Sequence, residues 1–479
     1  KRHKIVLYNP KAVFWTMPLA LVALGSYLDP ERFEVRIIDG RLEADPIAAV
    51  LAELDGALCL GLTVLTGAPI RDALLVTAAA KASRPGLLVV WGGWHASLFP
   101  VETLAESGAD AVVVGQGEET FAELLERRLA GADFAGVAGC AYRDPRAVPL
   151  LGEAGAGIVQ NPPRAMKDIN AFPAQNYDLI DVESYFKLKS QRQFDYISSQ
   201  GCRFRCTFCA DPFVYRRGWV GLAPERMGEE LAMLWRRYRF TDIGFQDETF
   251  FTKADRVAAI AEEFIKRDLH FSWMATMRAD QGTRLDAQIL ADCKRAGLRR
   301  VMIGVESGAQ EMLDRIKKDI TLEQVYESAE KCLRQGINVL FNMIVGFPGE
   351  TAEHLAESLR IAKKLRAISP TFEIAMFYYK PYPGNPIADD LLRQGYAFPQ
   401  TLAEWADFDY VGSSGPWMTA EQHTTIERFK FYQRIAWSQP SLLRAPLRAL
   451  ARWRCERDIY AFPIEKNVVE WLRPPVRLS

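Results

Sequence analysis

A chain of 479 residues that is 49% hydrophobic and 25% charged, with a formal net charge of −1, is globular and has room for two or three domains. The near-zero balance excludes any bulk electrostatic case for nucleic acid as a partner. Of eight cysteines, five (Cys59, Cys140, Cys293, Cys332 and Cys455) are scattered singly, which excludes a secreted disulfide framework and suits a reducing cytoplasm.

The N-terminal stretch "KRHKIVLYNPKAVFWTMPLALVALGSYL" is basic and then apolar, as in a signal peptide. It reads better as a buried strand, a turn and a helix with Pro18 in its first turn. The apolar run is interrupted and too short to span a bilayer, and no transmembrane segment is expected elsewhere. Up to Arg146, short apolar runs ("KIVLYNP", "FEVRIID", "GALCLGLTV", "LLVVWGG", "AVVVGQGE") alternate with helical stretches. Continuous apolar strands with helical crossovers predict a Rossmann-like, doubly wound parallel sheet over residues 1–146, with ligands at the strand C-termini.

Residues 147–190 are rich in Pro, Gly and Asn and predict a surface linker. A second βα series fills 191–395. Its six strand candidates are too few for a full barrel and predict an open, partial (β/α)6 barrel of TIM type. Beyond it, residues 396–479 lose the βα rhythm and predict a mainly helical region. Its tail interleaves Arg with Trp, Tyr, Phe and Leu, which would let it cover a hydrophobic substrate or make peripheral membrane contact. Packing on the barrel with snorkelling arginines is the preferred expectation.

The chemistry lies in "ISSQGCRFRCTFCADP", where Cys202, Cys206 and Cys209 form a C-x3-C-x2-C array. Zinc requires four ligands, and the next histidine along the chain is His270. A redox dithiol has no use for a third thiol. Three thiolates suit a [4Fe–4S] cluster whose fourth iron is left open for a ligand.

This array, with Phe208 before its last cysteine, resembles the signature of the radical S-adenosylmethionine (SAM) superfamily. The resemblance implies that the open iron chelates SAM and that the reduced cluster cleaves it to a 5′-deoxyadenosyl radical. It also implies an external electron donor of the flavodoxin or ferredoxin type. The following strands carry similar motifs over about residues 190–390: "GFQDETF" with Asp247 and Glu248, "ATMRAD" with Arg278, "IGVESG" with Glu306 and Ser307, "IVGFPGET" with Gly346, and "YKPYPGN" with Tyr382. These residues, with Phe208, are the implied SAM contacts.

In the first domain, "GLTVLTG", "WGGWHASLFP" and "ADAVVVGQGEETF" resemble the cobalamin-binding domain found ahead of such barrels. The resemblance places Thr63, Leu65, Thr66, Gly92, Gly93, His95, Gly115 and Gly117 at cobalamin. Glycines at strand ends independently permit close backbone approach to a large flat cofactor. The chain has "NPKAVFWTMP" where the D-x-H-x-x-G loop of other cobalamin proteins stands, so no protein histidine is expected below cobalt.

The family resemblance implies a cobalamin-dependent radical SAM methyltransferase. Its deoxyadenosyl radical would abstract hydrogen from an unactivated carbon of a small-molecule or lipid-like substrate, which would then take the methyl from methylcobalamin. The alternative is a non-methylating cyclase or rearrangement enzyme, resembling the anaerobic magnesium-protoporphyrin monomethyl ester cyclase. A tRNA methylthiotransferase would need three further clustered cysteines in the first domain, and a cobalamin sensor would have no use for the cluster.

Overall fold

Two parallel sheets, one near each end of the βα succession, account for most of the buried strands. The structure is a computed structural model and describes residues 2–144, 157–408, 415–440 and 444–472. The first sheet contains β1 (His3–Asn9), β2 (Phe33–Asp39), β3 (Ala57–Thr63), β4 (Leu88–Gly92), β5 (Ala111–Val113), β6 (Cys140–Arg143) and β7 (Ile158–Gln160), in the order β2-β1-β3-β4-β5-β6-β7. The first five are parallel, and β6 and β7 extend the edge antiparallel. Ile5, Val6, Leu7 and Tyr8 are fully buried, as a strand covered by helices on both faces requires. Register pairs Thr63 with Gly92, so two expected cofactor contacts stand side by side at the strand C-termini.

The stretch expected as a linker carries more order than its composition suggests. Residues 145–156 lie outside the described residues. Beyond them, β7 joins the first sheet through β6, and a helix runs over Val182–Lys189. Its Tyr185 hydroxyl reaches Asp39 at 2.6 Å. A cross-domain tie follows at once, because the Met17 amide donates to Asp195 at 2.8 Å and Lys189 pairs with the same carboxylate.

The second sheet has six parallel strands in the order β15-β14-β13-β12-β11-β8: β8 (Gln193–Tyr196), β11 (Asp242–Phe245), β12 (Ser272–Met277), β13 (Leu298–Glu306), β14 (Asn338–Val345) and β15 (Glu373–Tyr378). Strands and their number agree with the open barrel expected from the sequence. A two-stranded ribbon, β9 (Ser199–Gly201) against β10 (Trp219–Gly221), brackets the cysteine loop. The covering helices are punctuated in the sequence itself. Thr321 and Gln324 form a reciprocal capping box on Leu322–Arg334, as Thr419 and Gln422 do on Ala420–Ala436.

The C-terminal region is helical, as expected, over Ala420–Ala436, Ala445–Arg457 and Ile464–Leu472. The first of these packs on the barrel edge, where the Tyr378 hydroxyl donates to Glu427 at 2.7 Å. A short helix, Leu402–Ala406, crosses back to the first domain, and its Trp405 packs against His95 and Phe99. Among the described residues no helix is long and apolar enough to cross a membrane.

Candidate active site

The cysteine loop is folded tightly before any metal arrives. Gly201 sits at φ +83°, and a β-carbon there would collide with the Gly218 carbonyl across the β9–β10 ribbon. Only glycine lets the ribbon close immediately ahead of Cys202. The Thr207 amide donates to the Ile316 carbonyl at 3.0 Å, anchoring the loop to the segment after β13. Cys202 and Cys206 are buried, and Cys209 is partly so. Burial pushes the Cys202 thiol up to about 11 and the Cys209 thiol well above its ordinary range, and the neighbouring thiols add to both shifts.

These mutual effects show three soft donors converging from one loop. The Arg278 guanidinium lies 3.5 Å from the Cys206 sulfur. Iron would supply the remaining positive charge, as a bound cation reverses the local preference for the neutral thiol. Among the described residues no three His, Cys, Asp or Glu side chains are set to hold a single metal ion. Three thiols on one short loop are the donor set that a multi-iron cluster takes, each corner ligated separately.

The expected SAM residues do gather at the strand C-termini, but in unequal roles. Asp247 is buried, and both its oxygens are taken, by the Ser198 amide (2.8 Å) and hydroxyl (2.6 Å) and the Ser199 hydroxyl (2.5 Å). It holds the approach to the cysteine loop in place. Glu248 accepts from the Gly201 amide at 3.2 Å and turns to an open cleft. Burial first, then the nearby Asp211, raises its carboxyl to about 8.

Arg278 stacks 3.8 Å over Phe204 and donates to Asp280 at 2.9 Å. Glu306, at φ +64°, pairs with Lys318 at 2.5 Å, both side chains being nearly buried. Ser307 donates no side-chain bond outward. Its hydroxyl accepts from the Ala309 amide and meets Ser358, a helix-start role. Phe208 packs edge-on to Phe347. The Gly346 amide bonds Glu350, and Met418 of the C-terminal region covers the space beside that glycine. Tyr382 packs on Phe408. Lys318 and Glu350 went unnoticed in the sequence. Lys318 lies 12 positions beyond Glu306, with no periodic signal to connect them. Glu350, whose carboxyl burial raises to about 7, stands inside the quoted glycine motif and was the findable one.

Between the two sheets lies an open-mouthed cleft of ≈ 330 Å³. Its first wall contains Thr63, Gly92, Gly93, Gly115 and Gly117, and its opposite wall contains Ile197, Gln200, Tyr215 and Glu248 of the barrel. Gln116 bridges to Gln200 at 2.8 Å, and Trp94 meets Tyr215 edge-on at 5.8 Å. Gly93 sits at φ +90°, and a β-carbon there would press on the Val64 amide at 2.7 Å and the Thr63 hydroxyl at 2.9 Å. A slot of small and apolar residues, floored by Gly61 and Phe121, runs inward from this wall. Such a cradle fits a broad, amide-bearing ring system such as cobalamin.

Leu65, Thr66 and His95 do not line this cleft. Leu65 is exposed on the first domain. Thr66 bonds His95 Nδ1 at 3.2 Å, and His95 is fully buried beside Phe99 and Trp405. Burial lowers its imidazole to about 4. The strand-end glycine pattern located the cleft, but could not tell its wall from the layer beneath. Sequence reasoning also missed Tyr215 and Gln200, which meet the first domain's glycines only through the docking of the two sheets, and Glu118, which follows Gly117 within the quoted motif.

Comparison with known proteins agrees with this geometry. Residues 7–125 match the B12 binding domain family and residues 196–362 the Radical SAM superfamily. The chain is 32% identical over 386 residues to an uncharacterized methyltransferase of Pyrococcus horikoshii, covering 78% of this chain and 79% of that protein. It is 27% identical over 320 residues to the anaerobic magnesium-protoporphyrin IX monomethyl ester cyclase of Rubrivivax gelatinosus, covering 65% of this chain and 54% of that one. The fold resembles the radical SAM methyltransferase TsrM of Kitasatospora setae, solved with cobalamin and a [4Fe–4S] cluster (TM-score 0.70, 18% identity, 92% and 90% of the two chains). With three cysteines on a six-stranded barrel, a glycine-lined cleft facing them and these relatives, the chain belongs to the cobalamin-dependent radical SAM enzymes.

Proposed function

We propose that this enzyme is a methyltransferase that adds a methyl group to an unactivated carbon of a small-molecule or lipid-like substrate. One observation supports the reading: the cleft and the cysteine loop share a wall. Glu248 lines the cobalamin cleft and is bonded to the amide of Gly201, the residue next to Cys202. A substrate entering the cleft therefore meets the radical source on one side and the methyl carrier on the other. When bound, the cluster and SAM supply a carbon-centred radical and cobalamin carries the methyl group.

The chain's own residues position and enclose. Asp247 fixes Ser198 and Ser199 ahead of the cysteines. Arg278 steadies the loop by cation–π contact with Phe204 and by its bond to Cys206. Glu248, a neutral acid near pH 7 by its raised value of about 8, can donate a hydrogen bond into the cleft. Met418 and Trp417 close the far side over Gly346 and Tyr379.

The methyltransferase relative is matched over most of its length, whereas the cyclase is matched over little more than half. That difference favours methyl transfer over cyclisation. Eight unpaired cysteines support a reducing cytoplasm as the working compartment. The first arm of the test requires no substrate. Anaerobically reconstituted protein is given SAM, cobalamin and dithionite, and cobalamin is examined by mass spectrometry. Transfer of the SAM methyl to cobalamin with release of S-adenosylhomocysteine is expected. Deoxyadenosine alone, with no methyl transferred to cobalamin after substrates have been screened, would move the enzyme to the cyclase class.

A further inference from the structure

The helix Ala445–Arg457 is packed on one side only. Its Ala451, Arg454 and Cys455 are buried, and it lies along Ala420–Ala436. Leu450, Trp453 and Arg457 stand three and then four residues apart, which puts them on one face, and all three are exposed. The Arg457 guanidinium lies over the Trp453 ring at 5.6 Å.

Just beyond this helix the chain makes a projecting turn. Phe462 is 82% and Ile464 69% exposed, more than any other large apolar side chain among the described residues. The turn is held in that shape. The Arg454 guanidinium donates to the carbonyls of Ile459 (3.1 Å), Ala461 (2.9 Å) and Phe462 (3.0 Å). Phe462 sits at φ +49°, a conformation that a bulky residue keeps only where its surroundings impose it. Arg454 imposes it here, with the Phe462 side chain left in solvent.

The charges beside the turn do not cancel. Its acids are engaged: Glu456 with Arg452, Glu465 with Arg454 and Asp458 with Lys363. Arg444, Arg448 and Arg457 have no acidic partner among the described residues. A second copy of the chain, set on this face by a twofold axis, would bring those arginines against one another. A convex apolar turn flanked by unpaired arginines fits a surface that is anionic outside and apolar beneath, which is the headgroup layer of a phospholipid bilayer.

We propose that the turn at 459–464 and the outer face of Ala445–Arg457 dock the enzyme on anionic phospholipid membranes. Phe462, Ile464 and Trp453 enter the interface, and Arg444 and Arg457 meet lipid phosphates. The contact is peripheral, and it stands independently of the reaction assigned to the cleft.

The test is flotation of the full chain with vesicles of phosphatidylcholine alone and of equimolar phosphatidylcholine and phosphatidylglycerol. Binding to the mixed vesicles is expected, weaker by about tenfold without phosphatidylglycerol and falling with salt. Phe462→Ser combined with Ile464→Ser should weaken it by at least about tenfold, and Arg444→Gln combined with Arg457→Gln by about tenfold on the mixed vesicles only. Leu75→Ser combined with Met233→Ser removes two other apolar side chains, each 55% exposed, and should leave binding unchanged. No binding by the parent, equal binding to both vesicles, or the same loss in the Leu75 and Met233 variant overturns the proposal. Light scattering covers the other occupant: a mass that halves in the Phe462 and Ile464 variant would give the face to a second copy and overturn it as well.

Discussion

The barrel mouth and the cobalamin cleft solve the same problem, holding a large cofactor, in opposite ways. At the mouth, side chains do the holding, tied into buried pairs: Glu306 with Lys318, Arg278 with Asp280, Asp247 with two serines. In the cleft, side chains are withheld, and glycines at 92, 93, 115 and 117 present bare backbone. The two charged residues that do line it, Glu118 and Glu248, are both acids whose carboxyls burial raises. A radical source needs fixed charges and soft ligands, whereas a flat ring with amide arms needs room.

The largest effect should come from the mouth. Cys206→Ala should abolish the visible absorbance of the reconstituted cluster, and a surviving four-iron cluster would break the contrast at its root. Next, Lys318→Met would strand the Glu306 carboxylate in a site where each partner is under a tenth exposed. A loss of about 3 kcal/mol in denaturant unfolding is expected, and a neutral result would show that the pair is solvated.

The cleft offers a paired test. Gly93→Ala should cost about 2 kcal/mol without any ligand, because of its positive φ and backbone crowding. Gly92 has no atom within 3.7 Å of an added β-carbon, so Gly92→Leu should fold and yet retain less cobalamin on gel filtration. Equal stability losses in both would mean that the two glycines serve the fold alone.

The smallest effect concerns pH. Glu248 has its folded value raised to about 8 from 4.5. Between those values the folded state holds a proton that the unfolded state has lost, so stability falls as pH rises. The slope from this group is about 1 kcal/mol per pH unit, present up to about 8 and absent below the unfolded value. Chemical denaturation of the ligand-free protein between pH 6 and 8.5 should show it, and Glu248→Gln should flatten it. An unchanged slope in that variant would assign the titration to Glu118, whose carboxyl is also raised.

Legibility followed the same divide. The three cysteines, the six barrel strands and the strand-end glycines were readable because each depends on local spacing. Asp247 and Glu248 read alike in sequence as adjacent acids. The structure separates them, because neighbouring residues at a strand end point to opposite sides, one into the serines and one into the cleft. His95 read as a cofactor contact because it follows the glycines, yet it faces Trp405, more than 300 positions away in sequence.

By itself, then, the sequence determined the cluster of three thiols, the two βα successions and the family to which they belong, since thiol spacing and hydrophobic periodicity act over a few residues. Only the tertiary structure decided that Glu248 stands between the cleft and the cysteine loop, that Lys318 neutralises Glu306 and that Met418 covers Gly346. Those contacts join segments from different elements, and they depend on how two sheets and a C-terminal region dock, which no local pattern records.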